Sequence, residues 1–538
     1  MANRLIRAAG FLALIGIASC IHKGPPVYVR PHYPTFSVIP VPATLIPGTG
    51  QFRITRATVV VTDTSSLDER RAAAALLAVA RPSTGYDLPI VRSLDSVNSA
   101  VRAPGDTFPR TFIFLRRAAD TTSGAREAYT LVATSDSVVI TGNDGAGLFY
   151  GVQTFRQLLP FGIETHQSAI QMGPWVIPAV RIQDAPRYRW RGGMLDVARH
   201  FFTVDEVKQY IDILALYKLN TVHLHLSDDQ GFRIQIQSHP ELTEKGAPSE
   251  VGGGAGGFFT QAEYAELVNY AANRYITVVP EIDMPGHINA AMISHPELAC
   301  GRRAPAIFTG ISGGFNALCP DSEATYALLD DVIREISGMT PGPYFHIGGD
   351  EVQGLSALQY ATFVHRIEGI VRKYGKRMIG WEEVATSDSL FHIDPTTIIQ
   401  QWQGDSLKIK IPPGNEIILS ASGHMYLDMR YTPLTEIGLR WAGNIEVRKA
   451  YDWDPLTDVK GVDHSRVLGL EAPLWSETVR NITAVEYLIM PRLPALAEVA
   501  WSPASRRQWD DFRLRVSAHA PRWNLLGINY YRSPQIDW

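Results

Sequence analysis

The stretch YFHIGGDE, residues 344–351, ends an apolar run with two glycines and then two adjacent acids, Asp350 and Glu351. Two neighbouring carboxyl groups at a strand end can divide acid–base work. Burial and a like-charged neighbour raise the pKa of one, which then donates a proton; the other stays ionised and stabilises positive charge. The two glycines let the backbone turn and let a ligand approach. An ordinary retaining carboxylate pair flanks the bond it cleaves, with carboxyl groups about 5–5.5 Å apart. Adjacent acids approach from one side only, so they fit better a reaction whose nucleophile belongs to the substrate.

Other chemistry-bearing residues recur at the ends of seven more β-like runs. These are Asp196 and Arg199, Asp228 and Asp229, and the trio Glu281, Asp283 and His287. Trp381 with Glu382 and Glu383, then Trp402, Tyr426 with Asp428, and Trp475 with Glu477 follow. A lone Asp after a strand is usually a cap or turn residue, and a lone Trp is usually core. Eight strands ending this way point instead to one site. Carboxylates supply acid and base for glycosidic cleavage, indole faces stack on pyranose rings, and Arg199 and the acids can grip hydroxyls through charge-assisted bonds. A divalent-metal site built from Asp228, Asp229, Asp283, His287, Asp350 and Glu351 is the competing reading. A single His and no His-x-x-x-His pair argue against zinc, so neither metal nor cofactor is expected.

The runs that carry these residues are YRWRGGMLDVAR, TVHLHLSDD, ITVVPEIDMPGH, YFHIGGDE, RMIGWEE, TIIQQWQG, EIILSASGHMYLD and VLGLEAPLWSE. Most are separated by amphipathic helical segments, and Thr203 with Glu206 and Thr260 with Glu263 fit the capping box at helix starts. Eight strands alternating with helices over residues 186–538 predict a (β/α)8 barrel, with the site at the C-terminal ends of its strands. A doubly wound sheet is the runner-up. Residues 37–185 alternate short strands (ATVVVTD, RTFIFLRR, SVVITGN) with two helical segments and predict a small non-catalytic α/β domain. The chain of 538 residues is long enough for both. Its net charge of -4 gives no sign of nucleic-acid binding.

Residues 1–20 carry Arg4 and Arg7, an apolar run from Ala8 to Ile17, and then small residues up to Cys20. This pattern predicts an export leader rather than a membrane span. Its end, IASC, resembles the bacterial lipobox, which implies lipidation of Cys20 and a membrane-anchored exported protein. Pro-rich residues 21–36 are expected to be a linker. An exported chain permits a disulfide between the two remaining cysteines, Cys300 and Cys319.

HIGGDE resembles the catalytic motif of glycoside hydrolase family 20, the β-N-acetylhexosaminidases. RGGMLDVARHF, HLHLSDDQGFRI, PEIDMPGH, GWEE and APLWSE follow the same family in order over residues 187–501. DGAGLFYGVQTFRQLL resembles the end of its non-catalytic N-terminal domain. The resemblance implies exo-acting, retaining cleavage of terminal β-linked GlcNAc or GalNAc by a substrate-assisted route. It implies that Glu351 is the acid and then the base. Asp350 would hold the 2-acetamido N–H, and Tyr426 would orient the acetamido oxygen. Trp381, Trp402 and Trp475 would wall the pocket, while Arg199, Asp428 and Glu477 would bind hydroxyls. Asp228 or Asp229 would form a relay with His287 behind Glu351. The sequence departs from the family at Phe232, where Trp is usual, and in the Gly-rich stretch 300–319. A disaccharide-releasing relative and a non-catalytic sugar-binding lipoprotein are the alternatives.

Overall fold

The computed structural model describes residues 34–94, 110–118, 125–165, 172–300 and 306–538. The leader, Cys20 and nearly all of the 21–36 linker lie outside the described residues.

The first layer is a seven-stranded mixed sheet, in the order β1-β7-β5-β6-β4-β2-β3. Its strands are β1 (Thr44–Arg53), β2 (Val59–Val61), β3 (Ile90–Val91), β4 (Phe112–Arg117), β5 (Tyr129–Ala133), β6 (Ser137–Gly142) and β7 (Val176–Asp184). Helices α1 (Leu67–Thr84) and α2 (Gly145–Leu158) pack together beside it. Ser66 caps α1, and Gly85 in the left-handed region ends it. The three runs quoted from the sequence, ATVVVTD, RTFIFLRR and SVVITGN, are β2, β4 and β6. β1, β5 and β7 are further strands of the same domain, paired antiparallel. β1 contains Pro47, Gly48 and Gly50 and is largely exposed, so it lacks the alternation that marks a half-buried strand.

The rest of the chain closes into an eight-stranded parallel barrel. Its strands are β8 (Trp190–Asp196), β9 (Thr221–His225), β10 (Thr277–Glu281), β11 (Tyr344–His346), β12 (Arg377–Trp381), β13 (Ile398–Gln401), β14 (Ile417–Leu419) and β15 (Val467–Leu474). β15 pairs with β8 and closes the ring. All eight coincide with the eight runs read from sequence. The helices between them include α3 (Val204–Leu216), α4 (Glu241–Gly246), α5 (Gln261–Ala272), α6 (Asn289–Ser294), α7 (Glu323–Met339) and α8 (Ala357–Lys373). Thr203 and Thr260 form the expected capping boxes, and Ser356 with Gln359 forms a third. Removing such a cap typically costs about 1 kcal/mol.

Trp190, Val279, Ile379, Ile398, Ile418 and Leu468, one from each of six strands, form an apolar plug in the barrel. The sheet domain is joined to the barrel through buried and half-buried polar contacts. Arg191 Nη1 donates to Glu127 Oε2 at 2.7 Å, and Lys218 Nζ lies 3.3 Å from Asp184 Oδ2. Trp501 Nε1 donates to the same Asp184 oxygen at 3.0 Å. No helix among the described residues is long and apolar enough to cross a membrane.

Candidate active site

Within the barrel, His223, His225, His346, Glu281, Glu471 and Gln400 form a buried polar network. His225 Nδ1 lies 2.5 Å and His346 Nδ1 3.1 Å from Glu281 oxygens. His223 bridges the two acids, with Nδ1 2.8 Å from Glu471 and Nε2 3.0 Å from Glu281. Gln400 donates to Glu471 at 2.9 Å, and Trp381 Nε1 donates to Glu281 at 3.0 Å. Burial alone would lift the Glu281 carboxyl; His225, His346 and His223 together hold it well below the usual range. This network fixes Trp381 at the strand end.

β11 stops at His346, and the next five residues turn sharply. Gly348 and Gly349 have φ of 66° and 95°. A Cβ on Gly348 would stand 1.8 Å from Asp283 Oδ1, and one on Gly349 would stand 2.6 Å from Val384 Cγ1. The glycines are therefore required by the backbone angle and by close packing against β10 and β12 loops, rather than by a ligand's approach. The Gly349 N–H donates to Asp283 Oδ1 at 3.1 Å, and Tyr360 Oη on α8 donates to the Gly349 carbonyl at 2.6 Å. Glu351 itself holds φ of 51°, a strained position for a non-glycine residue.

The two adjacent acids face different surroundings. Asp350 Oδ1 is buried without a hydrogen-bond partner. Burial, with the charges of Glu281 and Glu351, raises its pKa against the pull of His287. The Glu351 side chain is 56% exposed, and its carboxylate lies 3.6 Å from His287 Nε2. The contact with His287 lowers its pKa despite partial burial. In the resting site, then, Asp350 rather than Glu351 is the elevated acid. This reverses the expectation that a dry pocket raises the proton donor, because Glu351 is wet and beside a cation.

His287, also at positive φ (49°), is held behind Glu351. Its Nδ1 is 3.3 Å from Asp228 Oδ1 and 3.9 Å from Asp229 Oδ2. Asp228 is thus the nearer partner. The oxygens of Asp229 accept instead from the Asn289 and Gly314 N–H groups at 3.0 and 2.6 Å. Asp228 Oδ2 is 2.8 Å from Arg199 Nη2 and 2.9 Å from His225 Nε2. Burial works against its ionisation, yet Arg199 and His287 hold its carboxyl far below the usual range. Burial likewise works against His287 protonation, but Asp228 above all raises its pKa well above the ordinary value.

The aromatic residues form a continuous wall. Ring centres of Trp381 and Trp475 are 5.8 Å apart, those of Trp475 and Tyr426 6.4 Å, and those of Tyr426 and Trp402 6.4 Å. Arg199 lies over Trp475 at 4.9 Å. Trp402 Nε1 donates to Glu383 Oε2 at 3.1 Å. Burial and the Asp350 charge push the Glu383 carboxyl up to about 7. Trp441, absent from the expected set, stands edge-on to both Trp402 and Tyr426 at 5.9 and 5.7 Å. Burial, then Asp428 and Asp350, keep the Tyr426 phenol far from ionising, so it remains a donor.

Both oxygens of Asp428, Glu477 Oε2 and Arg199 Nε are buried without hydrogen-bond partners among the described residues. Burial and the proximity of Glu477 raise the Asp428 carboxyl well above its usual range. Such groups are costly unless something satisfies them. Side-chain atoms able to ligate a metal also converge here, as in His287, Asp350 and Glu351 or Asp228, Asp283 and His287. Of these, His287 already faces Asp228 and Glu351 across ion pairs. Cys300 and Cys319 are joined by a disulfide that closes the segment reaching Asp229 through Gly314.

A parallel barrel with acids and indoles at the C-terminal mouth defines a glycoside hydrolase site, and the comparisons place it. Residues 188–360 and 353–504 match the catalytic domain of glycosyl hydrolase family 20, and residues 35–185 match domain 2 of that family. This chain belongs to glycosyl hydrolase family 20. It is 43% identical over 416 residues to a β-N-acetylhexosaminidase of Cellulomonas fimi, covering 77% of this chain and 82% of the relative. A mutant Streptomyces plicatus β-hexosaminidase in complex with its product GlcNAc superposes with a TM-score of 0.85 at 44% identity, over 94% of this chain and 98% of that one. A Vibrio harveyi exo-β-N-acetylglucosaminidase in complex with N-acetylglucosamine gives 0.78 at 30% identity, over 93% and 79%.

Proposed function

We propose that this glycoside hydrolase is an exo-acting β-N-acetylhexosaminidase that removes terminal non-reducing β-linked GlcNAc or GalNAc with retention. The observation that carries the reading is the set of buried, unpartnered polar atoms on Asp350, Asp428, Glu477 and Arg199 beside one aromatic wall. Carboxylate oxygens accept from hydroxyl and amide N–H groups, and one terminal sugar bearing an acetamido group supplies both. The similarity to enzymes in complex with GlcNAc supports the same substrate class.

In this reading Asp350 accepts from the acetamido N–H, and Tyr426 donates to its carbonyl oxygen. That oxygen attacks the anomeric carbon as the glycosidic bond breaks, and the Glu351 proton passes to the leaving oxygen. The cyclic oxazolinium carries the positive charge, which Asp350 offsets. Water then gives its proton to Glu351 and attacks the same carbon, restoring the β-configuration. The sugar, once bound, covers Glu351 and excludes water, which raises its pKa for the first step. His287, held cationic against Asp228, is the adjacent proton store. Holding the nucleophile within the substrate makes the attack intramolecular.

The test is proton NMR of chito-oligosaccharide digestion from the first turnovers. The expected product is β-anomeric monosaccharide released singly. Initial α-anomer, or an intact disaccharide, would contradict the reading. We further propose anchorage of the exported protein by lipid at Cys20; C20S should then move from the membrane fraction to the soluble one, and an unchanged distribution would refute this.

A further inference from the structure

Outside the pocket, His239, Glu241 and His295 bring one ligating atom each within 4.8 Å of the others. Their arrangement differs from the histidine–carboxylate network inside the barrel. There the imidazoles bridge carboxylates that bury one another's charge. Here each ring spends one nitrogen on a separate acid. His239 Nε2 donates to Asp331 Oδ2 at 3.1 Å, and His295 Nδ1 donates to Glu297 Oε1 at 3.0 Å. Those two bonds fix the tautomers. The remaining nitrogens, His239 Nδ1 and His295 Nε2, lie 3.8 and 3.0 Å from the same oxygen, Glu241 Oε1.

Each of these nitrogens therefore faces an anionic oxygen, a contact that is favourable when a proton or a metal cation lies between the two atoms. His295 is 8% exposed, and its Nε2 is buried without a hydrogen-bond partner among the described residues. The ring centres of His239 and His295 are 5.4 Å apart and nearly perpendicular. Tetrahedral zinc, with bonds of about 2.0–2.1 Å to nitrogen and oxygen, spaces its ligands about 3.3–3.4 Å apart. The 3.0 and 3.8 Å separations bracket that edge. Zinc-bound histidines characteristically donate their other N–H to a carboxylate, which Asp331 and Glu297 here accept.

We propose that His239, Glu241 and His295 form a binding site for a divalent transition cation of the zinc class, with Asp331 and Glu297 orienting the two imidazoles. Arg334, 2.7 Å from Asp331 Oδ1, leaves the other Asp331 oxygen to His239. Glu241 opens α4 and His239 lies two residues before it, Asp331 belongs to α7, and His295 with Glu297 to the segment running from α6 to Cys300. The ion would therefore clasp that segment to two helices. Beyond Cys300 the same loop returns through Gly310 and Gly314, which contact Gln230 and Asp229 behind His287. The ion's role is to brace this loop from outside, so turnover does not require it.

The test is equilibrium dialysis of the chelator-stripped, refilled full-length protein against zinc, with metal analysis. Wild type should retain one zinc more per chain than H239Q/H295Q, and H287Q, altered in the pocket, should match wild type. Zinc should raise the apparent Tm of wild type and not of the double variant, while calcium, which prefers oxygen ligands, should do neither. Equal zinc content in wild type and the double variant would overturn the proposal. Should the double variant not fold, D331N serves: an affinity lower by about 10- to 100-fold is expected, and an unchanged affinity would overturn it.

Discussion

His287 Nε2 lies 3.6 Å from Glu351 Oε2, while the neighbouring Asp350 carboxylate points to a separate, buried environment. The side-by-side acids thus do not form a shared-proton dyad. One is tied to a cation and open to solvent; the other is enclosed and waits for a donor. Their roles follow from these surroundings rather than from their adjacency.

If Glu351 is the proton donor, its removal matters in proportion to the leaving group's need. E351Q should lower kcat/KM by about 10² to 10⁴ on glycosides with poor leaving groups. The loss should be far smaller on nitrophenyl glycosides, which depart without a proton. Steady-state kinetics across an aryl series checks this; equal losses throughout would remove Glu351 from the acid role.

If Asp350 acts on the nucleophile, as proposed, D350N should be blind to the leaving group. A loss on the order of 10² or more is expected on activated and unactivated substrates alike. A steep dependence on leaving-group pKa in this variant would assign it the donor role instead.

Asp428 illustrates a trade between stability and binding. Its folded pKa is raised by burial and by Glu477. Favourable stability from its neutral form is present below about pH 3.9, the unfolded value, and is lost as pH rises through the folded one. D428N should therefore melt above wild type at pH 7.5, with the gap closing toward pH 4. The same variant should lose kcat/KM, because a hydroxyl acceptor is gone. A Tm gap that widens on acidification would contradict the account.

Much of this is legible in sequence because the candidate site residues occupy the ends of short strands, each next to its own apolar run. Asp196, Asp228, Asp350, Trp381 and Trp475 could be placed that way. Asp228 and Asp229 could not be told apart, since the choice rests on which oxygens Asn289 and Gly314 occupy. Trp441 was missed because it comes from a long connection after β14 with no periodic signal. Tyr360 was missed because it reaches the Gly349 carbonyl from a helix whose pattern reads as ordinary packing. The direction of the Glu351 shift depends on its exposure and on His287, neither of which adjacency in the chain reveals.

The Cys300–Cys319 link closes a loop 19 residues apart in sequence, worth roughly 3 kcal/mol by chain entropy. C300S/C319S should lower the apparent Tm, and should also lower kcat, since this loop supplies the Gly314 N–H to Asp229. Thermal melts and kinetics on the double variant would show both; an unaltered Tm would mean the loop is held by other contacts.

The most direct test of the central claim compares hydrolysis of a nitrophenyl β-N-acetylglucosaminide with that of the matching β-glucoside, which lacks the acetamido group. A nucleophile carried by the substrate predicts ready turnover of the first and essentially none of the second. Comparable turnover of both would mean that the protein supplies the nucleophile, and would contradict the roles given to Asp350 and Tyr426.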